Sequence, residues 1–189
     1  MPTNNPTADF LPLQGHYEDL VVYQIAQCIY AITYHFAHTY LDKGDRTIDQ
    51  MVQAARSGKQ NIAEGSVDGS TSKEMELKLL NVARGSIHEL KPDYEDYLLT
   101  RGLQKWTKED ERYQKTRRYC LHHNHPDDYV GPIQQRTAET TANIALTLIH
   151  QYDVLIVRLI EASKKRFLTE GGIKEQLFRA RKEYRDNHQ

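Results

Sequence analysis

The densest group of metal-ligand side chains in this sequence is His122-His-Asn-His-Pro-Asp-Asp128. Imidazole and carboxylate groups bind zinc, so this group could form a metal site. Its spacing matches no recognised zinc motif, and its Asn, Pro and Asp residues favour a turn. We therefore predict a solvated loop or a subunit contact. The alternative is a metal site with the ligands His122, His123, His125 and Asp127.

Nine basic residues of the C-terminal half could bind the phosphates of a nucleic acid. Residues 101–189 hold 17 Lys and Arg against 12 Asp and Glu, whereas residues 1–100 hold 8 against 14. Aromatic side chains such as Tyr119 and Phe178 lie between the basic groups and could stack on bases. The alternative is that cations near helix carboxyl ends stabilise the helices alone. The candidate contacts are Arg117, Arg118, Lys164, Lys165, Arg166, Arg179, Arg181, Lys182 and Arg185.

Motifs of enzyme chemistry do not stand out in the sequence. We find no Gly-rich phosphate loop, no Ser-His-Asp order, no Cys-His nucleophile and no paired-carboxylate motif. The only cysteines, Cys28 and Cys120, are far apart in the sequence. This spacing favours reduced thiols over a disulfide, and we place Cys28 in the core. We expect no catalytic residues, no enzyme activity and no cofactor.

Small and polar residues are combined in the segment Ile48–Gly65. Gly58 lies on its apolar stripe, where a glycine costs about 1 kcal/mol in a helix relative to alanine, so another backbone should come close there. Asn61 and Glu64 lie beside the stripe, and we expect them to bind the following turn or the third helix rather than a ligand. The predicted structural motif comprises Ser57, Gly58, Asn61, Glu64, Gly65, Ser86 and Glu89.

Apolar residues recur at helical spacing through most of the chain, and strand patterns are nearly absent. The pattern predicts long helices over about 17–41, 46–64, 71–101 and 137–168, within a bundle domain of residues 16–170. Because the connecting turns are short apart from an insertion at 103–136, we predict an all-α, up-down four-helix bundle. Residues 1–15 should form a flexible leader, and residues 171–189 a basic C-terminal helical extension.

Local signals set the expected helix ends. Asp45 is a plausible N-cap of the second helix, which should stop at Gly65 as a left-handed C′ residue. Thr71, with Glu74 three residues later, has the spacing of a capping box for the third helix. Pro92 should kink that helix.

The insertion should contain a short helix and two breaks. The segment Thr107-Lys-Glu-Asp110 could cap a helix that runs to about Leu121. The polar His122–Asp128 segment should follow as a loop, and Gly131-Pro132 should form a second break.

Composition is that of a soluble protein in which each helix buries one stripe. The 189 residues are 39% hydrophobic and 27% charged, and the mean hydropathy is -0.73. No run approaches the 18 apolar residues of a membrane span, and residues 1–9 lack the basic and apolar regions of a signal peptide. We expect one domain, in the cytoplasm and without a membrane.

Three segments resemble a known family of helical proteins. They are Gln53-Ala-Ala-Arg-Ser57, Asn61-Ile-Ala-Glu-Gly65 and Ala83-Arg-Gly-Ser-Ile-His-Glu-Leu90, and a first helix that starts at Leu20-Val-Val-Tyr-Gln24 fits the same order. In order and spacing they resemble the four-helix-bundle family encoded in intervening sequences of bacterial 23S ribosomal RNA genes. The chain looks closest to the longer "suffix" subgroup, although Gly58 stands where that family usually has a branched apolar residue.

The resemblance implies an assembly rather than a chemical reaction. Members of the family tend to form ring-like homo-pentamers and have no established enzymatic activity. A relative of the same fold, the accessory protein of diversity-generating retroelements, binds a reverse transcriptase and nucleic acid. We therefore expect a non-catalytic homo-oligomeric scaffold module. The alternative is an accessory factor that binds RNA or DNA and partners a reverse transcriptase or another mobile-element protein.

The first helix also points to subunit contacts. Val22, Tyr23, Ile29, Tyr30 and Tyr34 place apolar or aromatic groups on more than one face. One intramolecular stripe needs fewer, so we expect other subunits to cover the remainder.

Overall fold

The computed structural model describes residues 16–68 and 72–187, and all regular structure within those ranges is helical. This confirms the predicted all-α class. The predicted leader, residues 1–15, lies outside the described residues. A short 3-10 turn, Tyr17–Asp19, precedes the first α-helix. The helices are α1 Val21–Tyr40, α2 Arg46–Asp68, α3 Lys73–Thr100, α4 Glu111–Cys120, α5 Asp127–Ile133, α6 Ala138–Glu170 and α7 Ile173–Asp186.

The four longest helices pack around a shared core. α2 packs against α1 and α3, and α6 packs against α3 and α1. The core contains the fully buried rings of Phe36, Tyr94 and Tyr152. The Tyr94 hydroxyl donates a 2.9 Å hydrogen bond to Thr33 Oγ1, which satisfies both buried polar groups.

α2 and α3 approach closely at two glycines of α2. A Cβ added at Gly58 would lie 2.4 Å from Ile87 Cγ1 and 3.4 Å from the Ala83 carbonyl oxygen, so only glycine fits this packing. The expected close approach at Gly58 is therefore present. Gly65 does not end the helix as predicted, because α2 continues to Asp68. It is buried, and a Cβ there would lie 3.3 Å from Leu79 Cβ.

Three caps show how local hydrogen bonds set the helix ends. Asp45 caps α2 as predicted, because its Oδ1 accepts the Thr47 N–H at 2.8 Å. The predicted cap Thr71 lies outside the described residues, and Ser72 caps α3 by accepting the Met75 N–H. For α4 the cap is the last residue of the predicted capping segment, Thr107–Asp110. Asp110 caps it and accepts the Arg112 N–H at 2.8 Å.

The insertion 103–136 packs onto the core. α4 lies against α6 and α5 lies against α1. Trp106, Cys120, Tyr129 and Ile133 are buried. The predicted break at Gly131-Pro132 is wrong, since both residues lie inside α5. Pro132 is the next-to-last residue of α5, so the helix extends only one residue beyond it.

Packing of α5 also changes the explanation of α1. Val22, Tyr23 and Ile29 are buried within a single chain, because α2, α6, α5 and the 3-10 turn cover several faces of α1. Only Tyr30, half-buried, and Tyr34, 50% exposed, remain of the five residues that predicted a subunit contact. Other elements of the same chain thus bury three of the five residues that the sequence assigned to a subunit contact.

Two further helix predictions differ in outcome. Pro92, where a kink was predicted, does not interrupt α3, which continues as one helix to Thr100. α6 ends before Gly171 as predicted, since Gly171 has φ 75° and its N–H bonds to the Phe167 carbonyl oxygen.

One stretch passes a length-and-hydropathy test for a membrane span, which the sequence analysis did not anticipate. An 18-residue window within Ala138–Asp186 has a mean hydropathy of 1.3, and 44% of it is buried inside the structure. Core helices of soluble proteins pass the same test.

Candidate functional site

The histidine-rich segment forms a hydrogen-bonded turn between α4 and α5. The His123 ring stacks on Tyr119 with 3.7 Å between centroids, and its Nδ1 lies 2.8 Å from the Tyr119 carbonyl oxygen. His125 Nδ1 is 3.3 Å from Asp127 Oδ2, and both side chains are highly exposed. Among the described residues no group of three or more His, Cys, Asp or Glu side chains is placed to hold a metal ion.

Both thiols lie beneath this turn. Cys28 donates a 3.2 Å hydrogen bond to the Asn124 carbonyl oxygen, and both cysteines are free and fully buried. Burial, with the nearby Asp128 carboxylate and Cys120, raises the pKa of the Cys28 thiol to about 12. Burial also raises the pKa of the Cys120 thiol. Neither is therefore a thiolate at neutral pH, as a nucleophile must be.

The predicted polar motif is only partly assembled. Asn61 Nδ2 donates to the Ser57 carbonyl oxygen at 2.8 Å and to Ser57 Oγ at 3.2 Å. Ser57 Oγ lies 3.0 Å from Ser86 Oγ, so the serines connect α2 to α3. The side chains of Glu64 and Glu89 are exposed, so they do not belong to this buried contact. The assembled part joins two helices and has no reactive group.

A charged network that the sequence analysis missed joins α3 to α6. Glu76 is 5% exposed. It accepts hydrogen bonds from Ser163 Oγ and from Arg166 Nη2, the latter at 2.8 Å, and Lys73 Nζ lies 3.9 Å from its other oxygen. Glu76 precedes Leu80 by one turn on the apolar stripe of α3. That position was the available signal for a buried carboxylate.

The nine candidate phosphate contacts do not form one surface. Arg117 and Arg118 lie in the last turn of α4. The Cys120 carbonyl oxygen, at the end of the same helix, accepts a hydrogen bond from Gln151 Nε2 of α6, which places this end of α4 beside Gln151. Lys164 is 13 residues further along α6, which corresponds to about 20 Å at 1.5 Å per residue. The remaining basic residues lie on the last part of α6 and on α7. Within this group Arg166 is paired with Glu76.

Two α7 cations are available for a partner. Arg179 Nη2 bonds to the Glu170 carbonyl oxygen at 3.1 Å and so helps to end α6. Arg181 and Lys182 are exposed, and neither pairs with an acidic side chain within residues 16–68 and 72–187. These cations lie on a helix that takes no part in the principal helix packings of the described chain.

An acidic stripe runs along α3. Glu89, Asp93 and Asp96 follow one another at intervals of four and three residues, which places them on one helix face. Burial raises the pKa of the Asp93 carboxyl, and the charges of Asp96 and Glu89 raise it further. No basic side chain forms an ion pair with these three carboxylates in the part of the chain that the structure describes.

A polar cluster fixes the loop before α4 on the start of α6. Arg112 pairs with Asp110 at 2.7 Å and with Glu139 at 3.3 Å. The backbone N–H of Trp106 donates a hydrogen bond to Asn143 Oδ1 at 2.8 Å, and Asn143 Nδ2 donates one to the Gln104 carbonyl oxygen. These bonds hold the Trp106 ring in place, with the Arg112 guanidinium 5.1 Å from the ring centroid.

Two clefts lie beside Trp106. One has a volume of about 550 Å³ and is lined by residues of α4, α5 and α6, together with Arg136. The other, of about 510 Å³, is lined by residues that include Lys108, Tyr113 and His150. Both volumes are in the range of small-molecule sites. The sequence analysis predicted neither cleft, since each forms only when the insertion packs on α6.

Comparison with protein-family models, with curated proteins and with solved structures gives no match in any of the three sets. The resemblance to the 23S rRNA intervening-sequence family therefore stays a prediction from the quoted motifs.

Proposed function

We propose that this protein is a non-catalytic interaction module that self-associates into a homo-oligomer. In this proposal α1, α2, α3 and α6 are the four helices of an up-down bundle, and α4 and α5 form its insertion. The single observation that carries the proposal is α7, an amphipathic helix outside the principal packings of the described chain. The resemblance to a family of ring-like pentamers supports the same conclusion.

Exposed apolar groups at α7 indicate a protein partner. Phe178 is 64% exposed, and Leu168, near the end of α6, is 82% exposed. Large apolar side chains that lie close together on a surface are typical of binding sites. Arg181 and Lys182 add charge beside them, as at the polar rim of an interface.

The acidic stripe of α3 supports a second copy of the same chain as the partner. Burial raises the pKa of the Asp93 carboxyl, and repulsion from Asp96 and Glu89 raises it further. The Arg181 and Lys182 cations of another copy would relieve that repulsion, and opposite charges fix the register of an interface. Because each copy carries both surfaces, the contact is head-to-tail, and such a contact closes a ring when its rotation allows.

We expect the wild-type chain to scatter light as a multiple of 22.0 kDa at micromolar concentration. Arg181→Glu with Lys182→Glu should weaken the assembly at least about tenfold, because like charges then face each other. Adding Glu89→Lys and Asp96→Lys to the same chain should restore it. Arg117→Glu with Arg118→Glu, the same charge change on α4, should leave the mass unchanged.

Each result has a separate meaning. A wild-type monomer would contradict self-association. An assembly that survives the α7 reversal, or that the fourfold variant does not restore, would contradict the α7 to α3 contact and leave the oligomer intact.

We assign the apolar window of α6 to the protein core and propose a cytoplasmic protein that does not enter a membrane. Leu148, Tyr152 and Ile156 of α6 are fully buried within the chain. A membrane span would require these side chains to leave their helix partners.

A second candidate function is binding of RNA or DNA as an accessory factor, in which a reverse transcriptase or another mobile-element protein would be the protein partner. The observation that favours it is the set of exposed cations Lys164, Lys165, Arg181, Lys182 and Arg185 on the last part of α6 and on α7. Cations grouped in this way could neutralise several phosphates of one backbone.

A salt series tests this function. If about four of these cations contact duplex DNA, affinity should fall about 100-fold between about 50 and about 200 mM salt. Fluorescence anisotropy of labelled duplex DNA and structured RNA measures the slope. Lys164→Ala with Lys165→Ala should flatten it, whereas Arg117→Ala with Arg118→Ala should not. Absence of binding at low salt would exclude the accessory-factor function.

A further inference from the structure

We propose that the 550 Å³ cleft between α4, α5 and α6 binds a small organic anion with a flat aromatic body. The proposal is independent of self-association, since it concerns the insertion and not α7. It assigns a binding site to the part of the chain that resembles no family motif.

The walls of the cleft suit an aromatic body. They include the rings of Trp106, Tyr119 and Tyr129 and the aliphatic side chains of Ile133 and Ile144. Tyr119 and Tyr129 meet edge to face, with 5.8 Å between their centroids. Aromatic pairs prefer offset or edge-to-face arrangements, so a planar ligand can continue this packing. Apolar and aromatic walls with few polar groups are typical of small-molecule sites.

The charges of the cleft favour an anion. Its lining holds three cations, Arg112, Lys115 and Arg136, against one carboxylate, Asp128. Asp128 Oδ2 already accepts a hydrogen bond from the backbone N–H of His125 at 3.1 Å, so this carboxylate is engaged in the turn before α5. The excess of positive charge therefore faces the cleft.

Two of the three cations can turn to a ligand at little cost. Arg136 forms no ion pair with any residue that the structure describes. Lys115 pairs with Glu111 at 2.7 Å, but both side chains are well exposed, and such surface pairs contribute little stability. Arg112 is held beside the Trp106 ring by Asp110 and Glu139, whose charges offset its own, so an anion is left to Lys115 and Arg136.

These two mobile cations come from different elements. Lys115 belongs to α4, and Arg136 follows α5. An anionic group between them would join the two halves of the insertion, while the aromatic body packs against the rings. A carboxylate or sulfonate can accept hydrogen bonds from both cations, and hydrogen bonds to charged groups are among the stronger ones.

Trp106 is the only tryptophan in the chain, so fluorescence reports on this site directly. The probe is 8-anilinonaphthalene-1-sulfonate, an aromatic anion that accepts energy from tryptophan. We expect saturable energy transfer from Trp106 in the full-length protein. N-phenyl-1-naphthylamine, which has the same rings without the sulfonate, should bind at least about tenfold more weakly.

Variants separate the two clefts. Arg136→Ala and Lys115→Ala should each weaken binding of the sulfonate about tenfold, because each removes a charged hydrogen-bond donor. Thr116→Phe, which fills the cleft and keeps all three cations, should abolish saturable transfer. Lys108→Ala is the matched control, since Lys108 lines only the 510 Å³ cleft. Circular dichroism of each variant confirms that it is folded.

The proposal is overturned if the sulfonate shows no saturable transfer, or if the uncharged naphthylamine binds as tightly. It is also overturned if Lys108→Ala weakens binding and Arg136→Ala does not, since the anion would then occupy the second cleft.

Discussion

Gly58→Val should lower the free energy of unfolding by about 3 kcal/mol. A Cβ at this position would lie 2.4 Å from Ile87 Cγ1 and 2.6 Å from Ile87 Cδ1. Ile87 is fully buried, so it cannot move aside into solvent. The substitution therefore forces α2 and α3 apart or drives Ile87 into a strained rotamer.

Three further variants isolate the steric cause. Gly85→Val makes the same change on α3, where a Cβ meets no atom within 4 Å, so stability should change by no more than about 0.5 kcal/mol. Ile87→Ala alone should cost about 2–5 kcal/mol by leaving a cavity. Combined with Gly58→Val, it moves three carbon atoms from α3 to α2 and should recover most of the loss. Urea denaturation measures the free energy of unfolding of the four variants and of the wild type. Additive losses in the double variant would contradict a direct clash.

Arg166→Ala should lower the free energy of unfolding by about 2–4 kcal/mol. Glu76 is 5% exposed, and Arg166 is its closest cationic partner, at 2.8 Å. After the substitution this carboxylate keeps Ser163 and the more distant Lys73. Because half of the Arg166 side chain faces solvent, we expect less than the loss of a fully buried pair.

Lys165→Ala is the matched control, since Lys165 is the preceding exposed cation on α6. It should change stability by no more than about 0.5 kcal/mol. Thermal and urea unfolding measure both variants. Equal stabilities would mean that the pair of Arg166 with Glu76 contributes nothing to the stability of the fold. The stabilities of these two variants are also needed for nucleic-acid titrations. If Arg166→Ala binds more weakly, its affinity must first be corrected for any unfolded fraction.

The insertion connects the fold to the proposed functions. Its helix α5 packs on α1, whose apolar residues predicted a subunit contact, and the insertion forms the cleft beside Trp106. Self-association is therefore left to other surfaces, of which α7 and the acidic stripe of α3 are the ones we propose. A ligand in the cleft and a second copy at α7 would occupy separate regions of the molecule.

Much of the helical structure could be predicted from the sequence. Helix positions follow from apolar residues at helical spacing, which reflects burial of one face and needs no knowledge of the partner. The cap at Asp45 and the helix end at Gly171 were predictable because their hydrogen bonds join residues close in sequence. The close approach at Gly58 was predictable because glycine within a helix stripe needs a packing reason.

Other features were decided only by tertiary structure. Gly65 and Gly131-Pro132 carry signals for a helix end or a break, yet packing on α3 and α1 keeps both sites helical. The pairing of Glu76 with Arg166 spans 90 residues, and no local pattern specifies such a partner.

The cleft depends on tertiary structure in the same way. It needs Trp106, α4, α5 and α6 in one place, held by contacts such as Trp106 to Asn143. Local propensity sets where helices begin and end. Burial of distant side chains against one another sets which surfaces and sites those helices form.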